Sequence, residues 1–114
     1  MAAFAYPLTR VAVVEYNALM PPWLDWKVDY RSDAWYDGTL YQGASLKALE
    51  LLGTRLGYSL VGCDVCGVNA FFVRNDLLGS HFAAPYSAEN HYEPARYWLI
   101  DTVGHPRGFG EFKR

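Results

Sequence analysis

Four polar residues sit where the residue pattern ends one strand and turns between two others. Glu15 and Asn17 close or follow the apolar run "VAVVEY" at residues 11–16, and Asp64 and Asn69 flank the short turn between "YSLVGC" (58–63) and "NAFFVR" (69–74). Carboxylate and amide groups gathered at one rim can hold a hydroxylated substrate, and a carboxylate beside an acceptor group can assist removal of its proton. The asparagines suit a second role equally well, capping turns through hydrogen bonds to their own main chain. Both readings stay open from the sequence.

Cys63 and Cys66 form a Cys-x-x-Cys pair. That spacing is half of a structural zinc site, but no second such pair exists, and His81, His91 and His105 would have to converge from three separate segments to complete it. A redox pair of this kind normally begins a helix, whose dipole lowers the thiol pKa, whereas these cysteines flank a strand-to-strand turn. The expectation is a small apolar residue at a strand end (Cys63) and an incidental turn residue (Cys66). The sequence contains no phosphate-binding glycine loop, no Gly-x-Ser-x-Gly elbow and no His-Glu-x-x-His helix.

The elements that position these residues follow from periodicity. The nearly continuous apolar, β-branched run at 11–16 suits a strand covered on both faces. Residues 18–43 contain Pro21, Pro22 and Gly43, lack a sustained period and read as a long excursion rich in aromatics: Trp23, Trp26, Tyr30, Trp35, Tyr36 and Tyr41. Those rings either cover a core or line a substrate-facing lid. Leu46, Leu49, Leu52 and Leu56 recur at spacings of three and four, so residues 44–56 are expected to be an amphipathic helix with Ser45 as N-cap and Gly57 just past its end. The runs at 58–63 and 69–74, separated by five residues including Gly67, predict a hairpin. Residues 87–100 offer a Ser87 cap but are interrupted by Pro94, which allows a short helical turn and an extended segment.

If the first two strands are parallel neighbours joined by the helix, both point their carboxyl ends at one edge, and Glu15, Asn17, Asp64 and Asn69 converge there. The 114 residues, 52% hydrophobic, are expected to form one domain, 1–114, with a tail from 79 onward that lacks regular structure. Ten basic against twelve acidic side chains form no basic stripe, so no nucleic-acid partner is expected. No apolar run is long enough to span a bilayer and no signal-peptide pattern stands at the N-terminus, from which we expect a cytoplasmic chain without a membrane partner.

The segments "RVAVVEYN" (10–17), "YQGASLKALELLGTRLGYSLVGCD" (41–64) and "GVNAFFVRNDL" (67–77) together resemble the C-terminal part of a class I, S-adenosylmethionine-dependent methyltransferase-like family of the FkbM type, over residues 8–78. The resemblance implies an α/β fold, the C-terminal half of a Rossmann-like methyltransferase sheet. Its order would be strand, long loop, helix, strand and an antiparallel last strand inserted between the other two. It also implies S-adenosylmethionine as the cofactor of the complete domain, with none bound by this chain alone, because the family's glycine-rich loop and acidic residues precede the matching part. Carried onto this sequence, it makes Glu15 the candidate for orienting the methyl acceptor and Tyr16, Asn17 and Asn69 candidates for the substrate side. Such a half-sheet is expected to expose the edge of its first strand and so to dock on a separate N-terminal half, to self-associate or to be marginally stable. The alternative expectation, from a different class, is a small binding module whose aromatic loop, Trp23 and Trp26 foremost, stacks on a carbohydrate or another flat ligand.

Overall fold

The computed structural model describes residues 9–27 and 43–99, and the expected aromatics Tyr30, Trp35, Tyr36 and Tyr41 lie outside them. The described residues form a small α/β unit: a three-stranded antiparallel sheet with two helices. In chain order these are β1 (Val11–Glu15), α1 (Leu46–Arg55), β2 (Tyr58–Cys63), β3 (Asn69–Arg74), a 3-10 turn at Asn75–Leu77, and α2 (Ala88–His91).

Local signals account for α1 and the hairpin. Ser45 holds extended backbone angles and its side chain accepts from Ala48 N, the expected N-cap geometry. Gly57 follows the last turn at φ +90°, a left-handed conformation open to glycine at little cost. The hairpin strands occupy the expected residues, and Gly62 marks a register irregularity in β2, where Leu60 pairs with Phe72 and Gly62 with Phe71. Ser87 caps α2 by accepting from Asn90 N, the short helical turn expected before Pro94.

The sheet order is β1-β3-β2, with β3 antiparallel to both neighbours. This corrects the expectation that the first two strands pair directly: β3 lies between them, with Val13 opposite Phe71 and Leu60 opposite Phe72. A five-residue turn places β3 beside β2, and β1 pairs with the other edge of β3, its end tied to the residue before β3 by the Tyr16 N to Val68 O bond.

One sheet face carries the core, in which Leu46 of α1 and Ala88 of α2 pack with Tyr58, Leu60, Ala70 and Phe72. The two helices are tied together by Glu50, whose carboxylate accepts from Ala88 N at 2.9 Å and from Lys47 Nζ at 2.7 Å, while Lys47 also reaches Glu89 at 2.8 Å.

The expectation that β1 is covered on both faces fails among the described residues. Val11 is 52%, Val13 57% and Val14 36% exposed, and no described strand pairs with the outer edge of β1. The apolar pattern is there, but α1 packs toward β2 and leaves an open groove of about 220 Å³ beside β1. Ala12, Val14, Leu49, Leu52, Leu56 and Phe72 contribute to its walls. Leu52 and Leu56, half of the predicted buried face of the helix, are exposed there.

Candidate functional site

The rim forms where β1 ends and the β2–β3 turn begins. Glu15 is the last residue of β1, lies opposite Asn69 in the ladder and is exposed to solvent. Tyr16 and Asn17 follow directly, and both are buried. Their main chain is fixed from two sides: Tyr16 N donates to Val68 O at 3.0 Å, and Asn17 N donates to Ala44 O at 2.8 Å, next to the N-cap of α1. The topology therefore brings Glu15, Tyr16, Asn17, Asp64 and Asn69 to one end of the sheet.

Of the two asparagines only Asn17 accepts from a neighbouring main-chain N–H; at the hairpin the capping group is the Asp64 carboxylate. Asp64 accepts from Val68 N at 2.9 Å, from Asn69 N at 3.3 Å and from Asn69 Nδ2 at 3.0 Å, which closes the hairpin turn. Asn17 Oδ1 accepts from Leu19 N at 3.0 Å. Of the rim residues, Glu15 is the one that presents a carboxylate to solvent at the strand end.

The aromatics of the preceding loop are placed differently. Trp23 is 68% exposed, whereas Trp26 is partly buried, its main-chain N–H donating to Ser45 Oγ and its main-chain carbonyl accepting from Ser45 N. Ser45 thus caps α1 and pins the loop together, which accounts for Trp26 as an anchor of the chain path.

Beneath the rim, buried Tyr16 lies beside half-buried Cys63. The Tyr16 hydroxyl donates to Glu93 O at 2.6 Å and neighbours the Cys63 thiol. Burial, followed by the nearby Cys63, raises the Tyr16 pKa far above the usual range, and the phenol stays neutral. Burial likewise pushes the Cys63 thiol up to about 11, with the nearby carboxylates of Asp64 and Glu93 adding to the effect of burial. A thiol so protonated at neutral pH is a poor nucleophile and a poor metal ligand. Cys63 and Cys66 are both free thiols, and among the described residues no three His, Cys, Asp or Glu side chains are grouped as metal ligands.

Residues 92–96 were not anticipated at the rim. Tyr92 stacks edge-on against Tyr16, ring centroids 6.4 Å apart, and its hydroxyl donates to Ala18 O. Arg96 N donates to Cys66 O at 2.8 Å. Gly67, at φ +78°, lies so close to this segment that an added Cβ would stand 2.3 Å from Pro94 O.

No protein-family model, curated protein or solved structure matches this chain. Among the described residues, no helix is long and apolar enough to cross a membrane.

Proposed function

We propose that this chain is the C-terminal, substrate-side segment of an S-adenosylmethionine-dependent methyltransferase-like protein, inactive until cofactor-binding strands are supplied alongside β1. The observation that carries the reading is the arrangement around β3. This antiparallel strand is inserted between β1 and β2, which run in the same direction and are connected through α1. That is the order implied by the FkbM-type resemblance of residues 8–78.

The uncovered β1 supports the second half of the proposal. A strand with valines on both faces, an unpaired outer edge among the described residues and an apolar groove beside it suits an interior position in a larger sheet. In the completed domain, Glu15 would orient the methyl acceptor in line with the donor methyl group, and Tyr16, Asn17 and Asn69 would shape the acceptor side. S-adenosylmethionine would supply the transferable methyl group from the partner half.

Calorimetric titration tests this. The chain alone is expected to show no saturable binding of S-adenosylmethionine, and mixing it with the separately prepared cofactor-binding half of an FkbM-type methyltransferase is expected to give a 1:1 complex. Saturable cofactor binding by the chain alone would overturn the reading.

The exposure of Trp23 favours one second reading, a binding module for a carbohydrate or similar flat ligand. Quenching of tryptophan emission by a sugar, lost in Trp23→Ala, would support it, and silence across a sugar panel would remove it.

A further inference from the structure

Residues 92–96 cross the end of the sheet and are held on both sides of it. On the β1 side, Tyr16 Oη donates to Glu93 O, Tyr92 Oη donates to Ala18 O, and Tyr92 packs against the core cluster. On the hairpin side, Arg96 N donates to Cys66 O and the Arg96 guanidinium donates to Val65 O at 2.8 Å, while inside the segment the guanidinium also donates to the Glu93 carboxylate at 2.7 Å. Between these margins Pro94 is exposed, while the Glu93 main chain lies against the Cys63 thiol.

The two margins differ in kind. The Tyr92 side continues from α2, whose Ala88 is fully buried and whose first N–H is held by Glu50. On the Arg96 side only the small Ala95 packs against the core, the ties to the turn are polar, and the Arg96 to Val65 bond is exposed. A segment with no strand or helix of its own, whose side-chain tie at one margin is an exposed hydrogen bond, belongs to the class that opens locally below the threshold for global unfolding.

We propose that residues 92–96 form a strap over the rim, hinged at Tyr92 and latched at Arg96, and that Tyr16 and Cys63 meet a ligand only when the latch is released. The strap stands on its own geometry and rests on the proposed function only for what the rim would receive. Cys63 lies beneath it and serves as a built-in reporter of opening.

Two measurements on the full chain test the strap. In native-state hydrogen exchange, the Arg96 amide is expected to be at least ~100-fold less protected than the interior amides of β3. In a Cys66→Ser background, reaction of Cys63 with a thiol reagent is expected to accelerate about tenfold in Arg96→Ala, which removes the side-chain bond to Val65 O along with the bond to Glu93, while protection of β3 is unchanged. Equal protection of Arg96 and the β3 interior, or an unchanged Cys63 rate in Arg96→Ala, would overturn the proposal. Neither readout involves S-adenosylmethionine, so failure of the strap is distinguishable from failure of the methyltransferase reading.

Discussion

Tyr16 and Tyr92 exchange hydrogen bonds between two distant segments: Tyr16 Oη donates to Glu93 O at 2.6 Å, beside Tyr92, and Tyr92 Oη donates to Ala18 O, two residues beyond Tyr16. Their rings meet edge to face at 63°. The exchange ties the end of β1 to the segment that follows α2. Each of Tyr16→Phe and Tyr92→Phe is expected to cost about 1–2 kcal/mol in urea denaturation, since each strips a partner from a carbonyl. The double variant is expected to lose less than the sum, because both bonds hold one contact.

Asp64 organises the hairpin turn through three accepted hydrogen bonds. Asp64→Ala is expected to destabilise the chain by about 1–3 kcal/mol, because three donors lose their partner. Asp64→Asn keeps one carbonyl oxygen for the Val68 and Asn69 amides and is expected to recover part of that loss. Chemical denaturation of the two variants side by side checks the order.

Gly67 faces two obstacles to a side chain, a φ of +78° and the Pro94 carbonyl 2.3 Å from the position of a Cβ. Gly67→Ala is expected to cost about 2 kcal/mol or more. An added Cβ at Gly62 would meet nothing within 4 Å, so Gly62→Ala serves as the control and is expected to cost less than ~1 kcal/mol. Thermal melts of both variants separate the two cases.

Alkaline pH tests the contact between Tyr16 and Cys63. The Cys63 thiol is pushed up from 9.0 to about 11 and the Tyr16 phenol is raised higher still, both chiefly by burial. The unfolded chain therefore releases these protons at lower pH than the folded chain, and stability falls as pH rises from about 9 toward 11. Below the unfolded pKa values both groups are protonated in both states and contribute no slope. The denaturation midpoint is expected to decline across that window in the native sequence and to decline less steeply in Cys63→Ala.

The elements legible in the sequence are those fixed by near neighbours. The hairpin strands, the Ser45 cap and the Ser87 turn all depend on residues within a few positions of one another. The rim was legible as a meeting of strand ends, but the arrival of residues 92–96 there was not, since the Tyr16 to Glu93 bond spans 77 residues and carries no periodic signal. The valines of β1 were read as covered because their pattern has two apolar faces. Placement of β3 beside β2, with α1 packed toward β2, leaves that pattern without cover among the described residues. Trp23 and Trp26, three positions apart, look alike in the sequence, and only the contact with Ser45 separates an anchored residue from an exposed one.

The central claim is that β1 is an interior strand waiting for a partner, and light scattering coupled to chromatography tests it most directly. The purified chain is expected to show a mass that rises above the monomer value with concentration, and Val13→Lys, at a 57% exposed position, is expected to return it to the monomer without loss of secondary structure. A strict monomer at every concentration, unchanged by Val13→Lys and melting cooperatively at high temperature, would contradict the account.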